Sequence, residues 1–94
     1  MANFRGVVWR NQARADLRSI FSYIARDNPD AAESMRGRIL NKVIQLSANP
    51  RAYRLGRLAG TREMVVHPSY LVIYRDSPDE ITILRVLHAA QRWP

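Results

Sequence analysis

The chain has 94 residues, 47% of them hydrophobic, and a formal net charge of +7 from 15 basic and 8 acidic side chains. That length provides one domain, residues 1–94, with one modest core, and the apolar share is that of a folded globular chain. There is no cysteine, which excludes disulfides and thiolate chemistry, and the two histidines stand far apart, without zinc-ligand spacing.

No apolar run approaches the length of a membrane span, and "MANFRGVVWR" lacks the uninterrupted apolar segment of a signal peptide. A soluble cytoplasmic protein with no membrane partner, cofactor or metal is expected. All the basic residues except Lys42 are arginine, whose planar fork pairs with carboxylates and phosphates at two points and stacks on flat rings. The charge therefore indicates either a polyanionic or acidic partner or an arginine-rich solubility coat.

In chain order, "NFRGVVW" offers Phe4, Val7, Val8 and Trp9 to a first strand. The period then lengthens. In "NQARADLRSIFSYIARDN", Ala13, Leu17, Ile20, Phe21 and Ile24 share one helix face, with Arg14, Asp16, Arg18 and Ser22 turned away. Asn28 caps a second helix, Pro29 suits its first turn, and Asp30 and Glu33 favour the positive end of its dipole. Ala32, Met35, Ile39, Val43 and Leu46 form its stripe, widened by Leu40 and Ile44. Asn49-Pro50 ends it, since the residue before proline disfavours helical geometry.

"PRAYRLGRLAGTR" reads as a linking loop broken at Gly56 and Gly60, carrying Arg51, Arg54, Arg57 and Arg62 with no acid among them. Three strands follow, "REMVVH", "YLVIYR" and "EITILRVLH", with turns at His67-Pro68-Ser69 and Asp76-Ser77-Pro78-Asp79. Alternation in the last sets Ile81, Ile83, Arg85 and Leu87 against Thr82, Leu84, Val86 and His88. Helices grouped before a run of strands define an α+β two-layer sandwich in the order β-α-α-β-β-β, a helical hairpin packed on a sheet.

"WRNQARADLRSIFSYIARDNPDAAESMRGRI", "GTREMVV", "YLVIYR" and "ILRVLHAAQRWP" together resemble the ParE branch of the RelE/ParE toxins, the toxic halves of bacterial type II toxin–antitoxin modules. The most specific pieces are Asn28-Pro29, Gly60-Thr61-Arg62-Glu63, and Leu84 to His88 followed by Arg92-Trp93. The resemblance implies an antiparallel sheet with the first strand beside the last. It implies an acidic, partly disordered antitoxin, encoded adjacent, that folds onto this chain, and contact with operator DNA only through that complex. Its target would be either DNA gyrase, the ParE mode, or messenger RNA on the ribosome, the RelE mode.

Cleavage of RNA by a 2′-hydroxyl needs a proton acceptor, a proton donor and cations around the phosphate. Lys42 is the only lysine, no tyrosine follows Tyr74, and Leu71 stands where the resemblance puts an RNA-facing arginine in cleaving relatives. A ribonuclease site would have to use His88, Arg85, Arg92 and Arg62, yet Arg85 and His88 are three apart on one strand and point to opposite faces. The reading that follows is a non-enzymatic gyrase poison. The alternatives are a ribosome-dependent endoribonuclease and a non-toxic corepressor acting with its antitoxin.

Target binding is expected at Arg62, Arg75, His88, Arg92 and Trp93, and antitoxin binding at Leu17, Phe21, Leu40, Ile44, Arg54 and Arg57. Each has a plainer alternative. His88 either bonds to backbone at a strand end or meets a target. Arg92-Trp93 either braces the last strand, with the indole on a helix and the guanidinium on Glu63, or docks a target as interface tryptophans and arginines do. The loop arginines are either solvated or partnered. Leu40 and Ile44 are either covered by the first helix or wall a groove for an antitoxin helix.

Overall fold

The structure, a computed structural model, describes residues 6–94, so Phe4, read above as part of the first strand, lies outside the described residues. The chain runs β1 (Gly6–Trp9), α1 (Asn11–Ala25), α2 (Pro29–Gln45), β2 (Arg54–Leu55), β3 (Arg62–His67), β4 (Tyr70–Asp76) and β5 (Glu80–His88). The Asn28 carboxamide oxygen accepts the Ala31 N–H at 3.1 Å and Pro29 occupies the first turn, so the second helix starts where its cap predicts. It stops at Gln45, and turn bonds ending with Asn49 N–H to the Leu46 carbonyl carry the chain to Pro50.

The sheet order is β1-β5-β4-β3-β2. The first strand does lie beside the last, but parallel to it, while every other pair is antiparallel. The sheet is therefore mixed where an antiparallel one was expected. Two helices and three further strands lie between β1 and β5, and the six reversals that join these seven elements, an even number, return the chain in the direction of β1. The linking loop also contains a strand, β2, which pairs Arg54 with Glu63 and Leu55 with Arg62.

Both faces of the sheet are covered. Under the helices, Ile39, Val43 and Leu46 of the α2 region meet Met64, Val66, Val72, Tyr74, Ile81, Ile83 and Val86. On the second face Leu71, Ile73 and Leu87 form a separate small core with Leu84 and Trp93. The strict alternation expected of β5 fails at a bulge: Tyr74 opposes Ile83, but Ile73 opposes Arg85, leaving Leu84 unpaired. One extra residue shifts the phase, so Val86 joins Ile81 and Ile83 beneath the helices.

Candidate functional site

Four features carry the polar chemistry, the first of them at the exposed edge of β5. Past Ile83 the strand has lost β1, whose ladder ends with Arg10 N–H on the Ile83 carbonyl. Asp16 of α1 occupies the vacated edge. Its Oδ2 accepts the Val86 N–H at 2.9 Å and Arg85 Nε at 2.7 Å, and its Oδ1 accepts Arg85 Nη2 at 3.1 Å and Gln12 Nε2 at 3.1 Å. Burial opposes ionisation of Asp16, but these donors and the Arg85 charge outweigh it and hold the carboxyl below its usual range. The Arg85 guanidinium is correspondingly held further into its protonated form by Asp16. Asp16 was expected to turn away from the sheet; helix period places it at the flank of the apolar stripe, where only the tertiary structure supplies its partner.

The loop arginines are partnered too. Glu63, with a side chain 2% exposed, receives Arg54 Nη2 at 3.0 Å, Arg57 Nε at 3.3 Å and the Arg57 backbone N–H at 3.1 Å. Burial raises its proton affinity, and the Arg57 amide, Arg54 and the two positive charges reverse that, leaving the carboxyl below its usual range. Arg51 reaches Asp76 at 3.7 Å and Arg62 Nη1 donates to the Tyr53 carbonyl at 2.7 Å. The acids missing from the loop's own sequence come from β3 and β4. The hairpin that presents Arg57 is closed by Gly56 N–H on the Thr61 carbonyl at 2.8 Å, and a side chain at Gly56 would collide with Thr61 Oγ1.

The C-terminal segment folds over the second face. Trp93 packs on Leu71, Ile73, Leu84 and Leu87, not on a helix, and the Arg85 guanidinium carbon lies 5.6 Å from the indole centroid. Arg57 Nη1 reaches the Trp93 carbonyl at 3.5 Å, and the buried Trp93 Nε1 finds no partner among the described residues. Glu63 takes Arg54 and Arg57 and not Arg92, so the bracing alternative for Arg92 does not hold at this carboxylate; Arg92 is exposed.

At the opposite side, His88 and His67 flank Tyr70, with ring centroids 5.5 and 6.0 Å away. The His88 Nδ1 accepts the Ala90 N–H at 3.1 Å and the His67 Nδ1 accepts the Ser69 N–H at 3.0 Å. Because β4 lies between β3 and β5, Tyr70 stands between the imidazoles, and the described residues hold no metal-binding group of three or more His, Cys, Asp or Glu. The pairing of the two histidines across Tyr70 was not legible in the sequence, where they are separated by β4 and its turns.

The five residues assigned to target binding do not form one surface. His88 is on the helix side of the sheet, Trp93 on the second face, and Arg62 is tied to Tyr53, while Arg75 is half-buried at the end of β4. The ribonuclease set fails to converge for the same reason: Arg85 is held by Asp16 and His88 bonds to Ala90 across the sheet from it. Of the antitoxin set, Leu17, Phe21 and Leu40 line one groove of about 740 Å³ with Trp9, rimmed by Arg14, Arg18, Arg36 and Glu33. Ile44, 68% exposed, lies one turn beyond Leu40, whereas Arg54 and Arg57 belong to the Glu63 cluster.

A helical hairpin on one face of this five-stranded sheet is a RelE/ParE-like toxin fold. Among solved structures, the chromosomal ParDE toxin–antitoxin system from P. aeruginosa matches with a TM-score of 0.79 and 27% identity over 92% of this chain and 97% of that one. The RelBE2 toxin–antitoxin complex from Mycobacterium tuberculosis shares the fold, with a TM-score of 0.67 and 23% identity over 97% and 98% of the chains. In sequence, the chain is 41% identical to the Y4kP protein of Sinorhizobium fredii over 92% of this chain and 90% of that protein. It is 38% identical to toxin RelE2 of Caulobacter vibrioides over 90% and 96%. The family model for the ParE toxin of the type II toxin–antitoxin system parDE matches residues 7–93, and the chain belongs to that family. None of its described helices is long and apolar enough to cross a membrane.

Proposed function

We infer that this toxin poisons DNA gyrase by binding it and performs no bond cleavage of its own. The observation that carries the reading is the state of the sheet's second face. It is filled by Leu71, Ile73, Leu87 and the Trp93 indole, and its neighbouring ionisable groups are consumed by one another, Arg85 by Asp16 and Glu63 by Arg54 and Arg57. General acid–base cleavage needs a donor and an acceptor aimed at one phosphate, and that pair is absent from this face among the described residues. Membership of the ParE family favours gyrase over the ribosome.

The neutralising partner in this reading is an acidic antitoxin segment seated on α1 and α2. The groove floor of Trp9, Leu17, Phe21 and Leu40 suits the apolar face of an amphipathic helix. Its rim carries three arginines against Glu33, which is itself bonded to Arg36 at 3.3 Å. Phe21→Arg is expected to weaken capture of the co-expressed antitoxin at least tenfold while leaving the fold intact.

The target is tested by adding purified protein to a gyrase supercoiling reaction and, separately, to a translating extract. Inhibited supercoiling with intact messenger RNA supports the inference. Messenger RNA cleavage abolished by His88→Ala would establish the endoribonuclease instead, and inertness in both reactions would leave a corepressor acting with its antitoxin on operator DNA.

A further inference from the structure

The outer face of α1 carries a second surface, which adjoins the apolar groove and shares Arg18 and Ser22 with its rim. Arg18, Ser22 and Arg26 succeed one another at four-residue steps, with Ser19 and Tyr23 beside them, and all five are exposed. Helix rise puts Arg18 and Arg26 about 12 Å apart along the axis, roughly three to four stacked nucleotide steps of about 3.4 Å. Neither arginine forms an ion pair among the described residues. They flank a shallow cleft of about 630 Å³ that contains no acid.

Ser19 and Tyr23 also wall a neighbouring cleft of about 750 Å³, closed on its other side by His67, Tyr70, His88 and Gln91. The only acid there is Asp16, whose oxygens already serve Arg85, Val86 and Gln12. Both imidazoles spend Nδ1 on a backbone N–H, so each neutral ring carries its proton on Nε2 and keeps that atom as its free donor. The Tyr23 ring, 69% exposed, stands between the two clefts.

We propose that this face of α1 binds single-stranded nucleic acid, with Arg18 and Arg26 on phosphates about three to four nucleotides apart and a base between them stacked on Tyr23, its polar edge toward His88 and Gln91. Unpaired cations beside an exposed ring are what a sequence-tolerant single-strand site requires, because every base offers a stacking face and every nucleotide a charge. An acidic helix would instead be drawn to the apolar groove of Phe21 and Leu40, which this face lacks. The proposal is independent of the gyrase inference, since it concerns the free protein and a free strand.

The test is fluorescence anisotropy of a labelled 15-nucleotide oligothymidylate, and of a matched duplex, titrated with the full chain between 50 and 200 mM salt. Two phosphate contacts contribute about 1.4 to the log–log salt slope of a single strand, so Arg18→Gln with Arg26→Gln should flatten the slope by about that amount. Tyr23→Ala should weaken binding about tenfold with the slope unchanged. Arg38→Gln on α2 serves as a charge control without effect, and thermal unfolding verifies that each variant is folded.

No binding at 50 mM salt, or binding indifferent to all three α1 substitutions, would overturn the assignment. Equal, Tyr23-independent affinity for the duplex would replace a single strand with double-stranded DNA. Displacement by an oligoglutamate of equal charge, with the same dependence on Tyr23, would identify an acidic protein as the occupant.

Discussion

Asp16 and Arg85, 69 residues apart in the chain, meet at 2.7 and 3.1 Å where β5 has outrun β1, and the same carboxylate accepts the Val86 N–H. One helix side chain thus finishes a sheet edge that no strand of the described residues covers and fixes α1 to β5. An uncovered edge would present unpaired backbone groups to other chains. The pair also sets the position of the Arg85 guanidinium over Trp93, so the helix layer, the sheet edge and the C-terminal segment are joined through one carboxylate.

Asp16→Ala leaves Arg85 and the Val86 N–H without their acceptor and is expected to cost about 2–3 kcal/mol of stability. Asp16→Asn keeps an acceptor for Val86 but loses the charge, and should cost about half as much. Urea unfolding at neutral pH measures both. Equal losses in the two variants would show that the charge, and not the edge bond, carries the stabilisation.

Acid should unfold the protein through the same groups. The carboxyls of Asp16 and Glu63 are both held below their ordinary values in the folded chain. Their stabilisation is therefore complete above the unfolded-state values near about 4 and is lost as pH falls through the lower folded ones. Stability followed by urea unfolding from pH 6 downward should drop in that window, and Asp16→Asn combined with Glu63→Gln should flatten the curve while lowering its plateau. A wild-type curve as flat as the variant's would remove the linkage.

Tyr74 is buried beneath the helices and its hydroxyl donates to the Pro50 carbonyl. Burial pushes its pKa up to about 12, with the Arg62 charge acting in the opposite sense. Its contribution is full below the unfolded value of about 10 and disappears as pH rises through the folded value. Ultraviolet titration should show one of the 4 tyrosines ionising late, close to alkaline unfolding, and Tyr74→Phe should delete that late step.

Trp93 separates packing from polarity. Trp93→Ala uncovers Leu71, Ile73 and Leu87 and is expected to cost about 2–3 kcal/mol. Trp93→Phe preserves a ring on that cluster and removes the buried indole N–H that has no acceptor among the described residues, so its stability should stay within about 1 kcal/mol of wild type. A phenylalanine variant as unstable as the alanine one would mean that the indole N–H is satisfied in solution.

Periodicity alone placed both helices and the three long strands, because apolar spacing and caps are local properties carried by neighbouring residues. Asn28-Pro29 marked the junction of α1 and α2, and "REMVVH" coincides with β3 from Arg62 to His67. The apolar side chains of Leu40 and Ile44 were likewise legible as surplus to a helix stripe, and the family likeness extended along the same stretches. What tertiary structure alone decided is who meets whom. The parallel pairing of β1 with β5, the bulge at Leu84, Glu63 beneath two loop arginines and Asp16 on the edge of β5 all depend on segments brought together from distant parts of the chain. Charge is non-directional along a sequence: a basic loop without acids reads as free until folding delivers a carboxylate to it. Side-chain spacing could therefore announce which faces would be buried, but only packing could determine which cations were left over for a partner.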